Sequence, residues 1–445
     1  MKALQKLAGQ TAIYGLPSII GRLLNYLLVP LHTGKFMISE YGEIVGMYAY
    51  VSFLVVLLTY GMEIAYFRFQ SKNGNHHNTI FSTVLLSLFS TTILFIFLAT
   101  FFSQSIAEFL NYPNNSEYVV WFAFIVGLDA ISSIPLARLR IENKAIKFAS
   151  VNMINIFVNI ALNLFWIGYC IPEHQAGNSN FFIENFYTPS IGIGYVFIAN
   201  LFASIIKFLL LTPSMFSIRF KFDLSLFKQM LLYGSPILIS GMAVIVNENA
   251  DKILIQRILE EKIGLYLATA QVGIYGGVYK LSIIISLFIQ AFRYAAEPFF
   301  FSQEKEKDSK ETYATIMKYF VIVCAFIFLA VMLYLDQLKH FVNNEEYWVG
   351  LSIVPILLFA NIFLGIFYNL SVWYKLSGKT KYGAYIALFG ATITIVLNLI
   401  LIPRIGYLGS AWATLICYFS MATISYFYGQ KHFKIDYSIK SIFFY

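Results

Sequence analysis

Ionisable side chains lie inside several of the most apolar stretches of this sequence. In one of them, polar residues recur at steps of three and four, which places them on one face of a helix. Charge in the middle of a bilayer is costly unless it is paired or solvated, so these residues indicate a functional site. The residues of this polar face are Ser282, Ser286, Gln290, Arg293 and Glu297.

Two further apolar stretches carry polar faces of the same kind. One runs through Glu63 and the other through Arg22 and Asn25. We expect the three faces to meet across a wet cavity, with Asn25 and Gln290 among its polar residues. A guanidinium group offers phosphate paired N–H donors, so Arg22 and Arg293 are the predicted cations for a phosphate or diphosphate.

Some of these charges also have structural interpretations. Arg293 and Glu297 are four residues apart and could form an ion pair on one helix. Glu63 and Arg68 lie close to the predicted cytoplasmic end of a span, where long side chains reach the membrane interface. For these two residues, functional and structural roles are equally open.

An oxygen-rich group of residues follows the seventh predicted span. Asn247, Glu248 and Asp251 together could bind a proton or a sodium ion. The alternative is a patch on the outer surface that pairs with Lys252. The sequence does not decide between the two.

The composition requires a membrane protein with many spans. Of the 445 residues, 59% are hydrophobic and 12% are charged, whereas soluble domains carry about 25% charge. The formal charge of +8 comes from short basic clusters between apolar spans, which favour lipid headgroups over nucleic acid as partners. The three cysteines are dispersed and indicate neither a disulfide framework nor a zinc site.

The apolar stretches predict twelve membrane-spanning helices, because about 20 residues are needed to cross a bilayer. Most of the 31 Lys and Arg residues fall in segments that alternate to one side, so we predict that both chain ends are cytoplasmic. The predicted spans are 10–31, 44–67, 79–102, 118–137, 148–170, 190–212, 230–250, 272–299, 316–335, 348–373, 383–402 and 408–429.

A weak internal repeat predicts two lobes. The sequence YGLP at 14–17 returns as YGSP at 233–236, six spans later, so the two copies have the same orientation in the membrane. Two six-helix lobes around a central cavity follow. Paired glycines in equivalent spans should let helices pack closely. They are Gly42 with Gly46, and Gly273 with Gly277.

The predicted organisation is an all-α protein with four segments. Residues 1–213 form the N-terminal lobe, 214–228 a cytoplasmic linker, and 229–430 the C-terminal lobe. Residues 431–445 form a cytoplasmic tail that either lies on the membrane surface or begins a further helix of a longer chain. The hydrophilic loop 171–190 has no evident role.

Signals for catalysis are weak. The six histidines are scattered without metal-ligand spacing, and the sequence contains no Walker loop and no G-x-S-x-G or H-E-x-x-H motif. We therefore expect a transporter rather than an enzyme, without catalytic residues, metal site or organic cofactor. Protons and sodium ions are the candidates for coupling.

Long segments of the chain resemble bacterial oligosaccharide flippases. The resemblance is carried by YGLPSIIGRLLNYLLVPLHTGKF, YGMEIAYFRF, DKILIQRIL, QAFRYAAEPFFF and KTKYGAYIALFGATITIVLNLILIPRIGYLGSAWAT. These segments are similar to Wzx-like members of the polysaccharide biosynthesis family, in the multidrug/oligosaccharidyl-lipid/polysaccharide exporter superfamily. The similarity covers nearly the whole chain, but no single motif is diagnostic.

The resemblance implies a function and residue roles. Relatives move undecaprenyl-diphosphate-linked sugars to the outer leaflet of the bacterial inner membrane by alternating access, and a polysaccharide polymerase and a chain-length regulator are the implied partners. Cationic cavity residues would contact the diphosphate, here Arg22, Lys280 and Arg293. The residues implied for ion coupling or gating are Glu63, Arg68, Glu248, Asp251 and Glu297.

Two other functions are open at this stage. A cation-coupled multidrug exporter of the same superfamily would favour an acidic, aromatic cavity over a cationic one. A membrane glycan polymerase or ligase would be expected to present catalytic residues on a large outer loop, whereas the longest outer loop here has about twenty residues and one histidine.

Overall fold

The computed structural model describes residues 19–72, 77–215, 221–303 and 308–437. All regular secondary structure in these residues is helical. Within them, 11 helical segments are long and apolar enough to cross a membrane. A helix satisfies its own backbone hydrogen bonds, which hydrocarbon demands of any spanning segment. The predicted all-α polytopic architecture is confirmed.

The described residues of the first half of the chain form eleven α-helices and two other helical segments. The α-helices are α1 (19–26), α2 (Val29–Lys35), α3 (Ile38–Thr59), α4 (Met62–Lys72), α5 (His77–Phe101), α6 (Ser103–Phe109), α7 (Ser116–Ile141), α8 (Ala145–Asn163), α9 (Ile171–Gln175), α10 (Phe181–Phe186) and α11 (Gly194–Met215). A π-helix covers Leu164–Cys170 and a 3-10 segment covers Pro189–Ile191.

In the described residues of the second half, nine α-helices follow. They are α12 (Leu224–Ile263), α13 (Leu265–Tyr279), α14 (Ile283–Gln303), α15 (Ser309–Leu333), α16 (Leu335–Leu338), α17 (Ile353–Leu370), α18 (Val372–Leu376), α19 (Lys381–Ile405) and α20 (Tyr407–His432). Short 3-10 segments cover Lys280–Ser282, Lys339–Phe341 and Glu345–Gly350.

The chain packs into two compact units. The first unit contains Ile20–Lys35 and Met47–Met242, and the second contains Phe36–Gly46 and the described residues from Ala243 onward. The boundary between Met242 and Ala243 falls inside α12. The division follows packing rather than chain order, and the lobes predicted at 1–213 and 229–430 stay a prediction.

The first predicted span lies partly outside the described residues. Residues 10–18 of the span 10–31 are not described, and the remainder is helical in α1 and α2 with a turn between them. The predicted linker 214–228 is helical at both ends, since α11 extends to Met215 and α12 begins at Leu224.

The outer loop predicted after Asp251 is wrong, because α12 continues as a helix to Ile263. The charges that indicated a loop are accommodated on the helix surface. Arg257 lies 3.7 Å from Glu260, one turn further along, and Lys262 Nζ donates to the carbonyl of Pro403 at 3.1 Å. The connection to α13 is Gly264 alone, in the left-handed region with φ +82°.

Two predicted glycines bring helices into backbone contact within the second unit. A Cβ on Gly42 of α3 would overlap the carbonyl oxygen of Thr269 in α13, and a Cβ on Gly273 would overlap the carbonyl of Ile38. Small residues let helix backbones approach closely. The predicted packing role is confirmed for Gly42 and Gly273.

The second predicted span is broken in the first unit. Helix α3 ends at Thr59 and α4 begins at Met62, with positive φ at Tyr60 (31°) and Gly61 (74°). A Cβ on Gly61 would lie 2.5 Å from the carbonyl oxygen of Gly234 in α12. At the break, the backbone of Gly61 therefore packs against the backbone of Gly234.

Candidate functional site

Lys280 lies near the middle of the spanning segment Leu265–Tyr294. It begins the 3-10 segment between α13 and α14, so the helix changes its winding at this residue. A stretch of 3-10 helix inside a longer helix often marks a functional hinge. The side chain is partly buried, and no acidic residue in the described part of the chain forms an ion pair with it. Among the described residues, this cation therefore has no ion-pair partner inside its apolar segment.

Two residues of the predicted polar face, Ser286 and Arg293, contact α17 within the second unit, whereas Ser282 lies in the 3-10 segment and donates to the carbonyl of Tyr279. Ser286 Oγ donates to Asn361 Oδ1 at 2.9 Å. The guanidinium of Arg293 lies over the ring of Tyr368, 3.9 Å from its centroid, a cation–π geometry. Gln290 lies between these contacts, and its buried Oε1 has no hydrogen-bond partner among the described residues. The face thus offers both a cation and an unused acceptor.

Glu297 lies in α14, but its side chain is outside the described part of the structure. The ion pair with Arg293 that one interpretation of the sequence predicted therefore stays a prediction.

The carboxylate of Asp251 is buried and accepts hydrogen bonds from two side chains. Asp251 is 3% exposed, and its carboxylate oxygens accept from Tyr275 Oη at 2.6 Å and from Lys252 Nζ at 3.0 Å. Lys252 Nζ also donates to the carbonyl of Glu248 at 2.7 Å. The pairing with Lys252 that the sequence suggested is present, but it is buried rather than on a surface.

Asn247, Glu248 and Asp251 lie within five residues of α12 but differ in exposure and partners, and a shared ion site stays a prediction. Asn247 is buried, donates to the carbonyl of Ala387 at 3.2 Å and accepts from Thr394 Oγ1 at 3.2 Å. The side chain of Glu248 is exposed. Side chains three and four residues apart lie on one face of a helix, so Asp251 shares a face with each of the other two residues.

The charges at the start of α4 each have a contact in the first unit. Glu63 forms an ion pair with Arg140 of α7. The guanidinium of Arg68 lies 4.5 Å from the ring centroid of Tyr233 in α12. The sequence paired neither residue with these partners, because both contacts join residues far apart in the chain.

Arg22 and Asn25 lie on α1 in the first unit, and both are exposed. Asn25 Oδ1 accepts from Asn159 Nδ2 at 3.2 Å. The predicted approach of Arg22 to Arg293 joins residues of different units and stays a prediction.

One ion pair inside the first unit was missed by the sequence interpretation. Lys207 Nζ of α11 lies 2.6 Å from Asp129 Oδ1 of α7, and Ser204 Oγ donates to the same carboxylate oxygen at 2.9 Å. Both charges fall inside predicted spans, so opposite charges in the spans 118–137 and 190–212 were the available signal. The sequence analysis did not pair Lys207 with Asp129.

These groups offer chemistry for anion binding and for proton or cation handling. No group of three His, Cys, Asp or Glu side chains that could hold a metal ion occurs among the residues described. Lys280 offers an unshared positive charge, whereas Asp251 and Asp129 are each already bound by a lysine.

Solved transporter structures share this fold. The lipid II flippase MurJ in an inward closed conformation aligns with a TM-score of 0.76 at 14% identity, covering 97% of this chain and 89% of that one. An inward-facing multidrug resistance MATE family transporter of the MOP superfamily aligns with a TM-score of 0.64 at 13% identity, covering 97% and 94%. A Vibrio cholerae MATE transporter aligns with a TM-score of 0.65 at 13% identity, covering 97% and 98%.

Comparison with the sequences of curated proteins gives no significant match. The family profile described as polysaccharide biosynthesis protein matches residues 7–304, more than half of the chain. The resemblance inferred from the sequence is therefore confirmed at the level of the family, and the chain belongs to the polysaccharide biosynthesis protein family.

Proposed function

We propose that this protein is a flippase for lipid-linked oligosaccharides. It moves undecaprenyl-diphosphate-linked glycan repeat units from the inner to the outer leaflet of the bacterial inner membrane by alternating access. The glycan then serves the biosynthesis of a surface polysaccharide such as O-antigen, capsule or exopolysaccharide. Family membership and the fold shared with a lipid II flippase support the proposal.

The observation that carries the proposal is the uncompensated ammonium of Lys280. A cation near the middle of a spanning segment is unfavourable without a counter-charge or water. A diphosphate brings negative charge to that depth and would form charge-assisted hydrogen bonds with the ammonium. A cationic drug would be repelled from the same position. The observed site therefore favours an anionic substrate.

The remaining parts of the proposal concern topology and partners. The N-terminus is cytoplasmic, and the chain acts as a multi-pass transporter rather than an enzyme. Protons or sodium ions couple the cycle, and no cofactor is required. A polysaccharide polymerase and a chain-length regulator receive the translocated glycan.

The test is transport of a fluorescent undecaprenyl-diphosphate oligosaccharide in proteoliposomes, with a membrane-impermeant quencher reporting the outer leaflet. Lys280→Met removes the charge at similar length. Hydrogen bonds to charged groups contribute about 1.5–3 kcal/mol, so the apparent affinity should fall about tenfold to a hundredfold. Lys280→Arg should retain most of the affinity, because it keeps the positive charge.

Lys262→Met is the matched control. Lys262 is exposed and lies at the end of α12, where its ammonium contacts the carbonyl of Pro403. Its removal should leave the apparent affinity unchanged. Wild-type protein that does not transport the lipid, or Lys280→Met protein with wild-type affinity, would contradict the proposal.

A second candidate is a cation-coupled multidrug exporter, which the fold shared with MATE transporters favours. The buried carboxylate of Asp251 beside Tyr275 is a group that such an exporter could protonate. Drug-resistance assays in a pump-deficient strain separate the two functions. Drug efflux without lipid transport would establish the exporter instead.

A further inference from the structure

The hydrophilic loop without an evident role is an ordered structure that exposes three phenylalanines beside its polar residues. Residues 171–193 fold into α9, α10 and a 3-10 segment between the spanning helices α8 and α11. In α10, Ile183 is buried at 5% exposure. Three phenylalanines of the same helix point outward. We call Phe181, Phe182 and Phe186 the aromatic patch; they are 67%, 51% and 54% exposed.

Hydrogen bonds hold α10 at a fixed place. Asn180 Oδ1 caps the helix by accepting from the backbone N–H groups of Phe182 and Ile183 at 3.0 and 3.2 Å. The amide of Asn180 donates to Tyr169 Oη at 2.9 Å. At the other end, Trp166 Nε1 donates to the carbonyl of Phe186 at 3.0 Å. The aromatic patch is therefore exposed on a helix that hydrogen bonds hold in place.

The rings of the aromatic patch contact one another. The centroids of Phe181 and Phe182 are 5.8 Å apart, and those of Phe181 and Phe186 are 6.3 Å apart. Phe182 also contacts Phe165 of the π-helix, with centroids 6.2 Å apart. Three adjoining phenyl groups form a contiguous apolar surface, which water would solvate unfavourably.

The aromatic patch continues the exposed apolar side of α8. Ile154, Phe157 and Leu164 of this spanning segment are 40%, 72% and 53% exposed. Phe165 follows Leu164 and connects that surface to Phe182. Since α8 and α11 both reach membrane-spanning length, the segment between them is tethered at the bilayer surface.

The charge of the segment also favours apolar insertion. No Lys or Arg occurs between Lys147 and Lys207, so anionic headgroups exert no attraction on α10. Several polar groups of the segment bind each other: Asn178 Nδ2 donates to Glu173 at 2.7 Å, and Ser179 Oγ donates to Glu184 at 2.5 Å.

We propose that the aromatic patch inserts into the boundary between headgroups and acyl chains of the bilayer. Helix α10 is then an interfacial helix that fixes the end of α8 at a set membrane depth. The occupant is the bilayer lipid itself, and binding rests on apolar contact rather than on headgroup charge.

The test places a nitroxide spin label on full-length protein in lipid nanodiscs, through Phe182→Cys or Phe186→Cys. Asn178→Cys is the matched control on the polar side of the same segment. The native cysteines are buried, and labelled wild-type protein measures their background. Collision rates with oxygen, which partitions into lipid, are compared with those of a water-soluble nickel chelate.

The ratio of oxygen to nickel collisions should be several-fold higher at positions 182 and 186 than at 178, in both neutral and anionic nanodiscs. Equal ratios at all three positions would overturn the proposal, because the aromatic patch would then face water. Labels at 182 and 186 shielded from both reagents would overturn it as well, since a protein or a glycan would cover the surface. Either labelled variant alone suffices if the other does not fold.

Discussion

The ammonium of Lys207 lies 2.6 Å from the carboxylate of Asp129, and this ion pair joins α11 to α7 within the first unit. The side chain of Lys207 is 12% exposed and that of Asp129 is 31% exposed. Ser204 donates a further hydrogen bond to the carboxylate. This charge pair thus fixes the register of two spanning helices. Either charge alone would be unfavourable inside a spanning segment.

Asp129→Asn should destabilise the protein by leaving the ammonium of Lys207 without its carboxylate. Removing one partner of a fully buried pair costs about 3–5 kcal/mol, and the partial exposure of Asp129 places this change below that range. The midpoint of thermal unfolding in detergent measures it. The double variant Asp129→Asn with Lys207→Met should recover part of the loss, whereas strictly additive effects would show that the pair is uncoupled.

Asp251→Asn should also lower thermal stability, because it weakens the bonds that Tyr275 Oη and Lys252 Nζ donate to a buried carboxylate. Glu261→Gln is the matched control, on the same helix with an exposed side chain. It should leave the unfolding midpoint unchanged. Equal effects of the two substitutions would argue against the buried network as the cause.

Gly42→Ala should disrupt the contact between α3 and α13 in the second unit, since its Cβ would overlap the carbonyl of Thr269. Overpacking of this kind typically costs about 1–3 kcal/mol. Gly168→Ala is the control, because its Cβ would meet only side-chain atoms at 3.7 and 3.9 Å. Detergent-solubilised yields and unfolding midpoints should fall for the first variant and not for the second.

Glu142, between α7 and α8, makes a contribution to the free energy of unfolding that depends on pH. Partial burial acts to raise the pKa of its carboxyl, but Lys144 and Arg138 outweigh it and hold the pKa below the ordinary range. Folding therefore favours the ionised form, and the stabilisation is complete above the ordinary glutamate pKa of about 4.3. It is lost as the pH falls through the lower pKa of the folded state. Unfolding midpoints of Glu142→Gln should lack this component of the acid-side decline; an identical pH profile in wild type would contradict the assignment.

Arg22→Ala and Arg293→Ala should each abolish export of the surface glycan if both guanidinium groups bind the diphosphate. Tyr368→Leu provides a comparison, because it removes the ring beneath Arg293 and keeps the charge. It should reduce export only in part. Glycan at the cell surface and protein in the membrane fraction are measured together, so loss of protein is distinguished from loss of transport. Normal export by both alanine variants would remove these residues from the site.

Local patterns in the sequence predicted the helices and the glycine contacts well. Apolar stretches of about 20 residues have few alternatives to a spanning helix, and Gly42 and Gly273 were recognised because small residues repeat at helical spacing. The end of α12 was not recognised. Its charged residues from Asp251 to Lys262 resemble a solvated loop in composition, yet the helix continues through them and buries the pair of Asp251 and Lys252.

The partners of the candidate residues could not be predicted from local patterns. The contacts of Glu63 with Arg140, of Lys207 with Asp129, and of Arg293 with Tyr368 depend on how distant helices are rotated and shifted along their axes. Periodicity identifies which face of a helix is polar, but it does not identify the helix opposite. Lys280 was found because a single intramembrane lysine is informative without a partner.

The break at Tyr60 and Gly61 has a consequence for hydrogen exchange. A helix that restarts at Met62 begins with amides that have no acceptor within that helix. The surrounding turns of α3 and α4 keep their amides in hydrogen bonds, so deuterium should enter this spanning segment first at the break. The atoms nearest to an added Cβ at Gly61 all belong to the backbone of Gly234, so opening at this residue separates two backbones rather than two side chains.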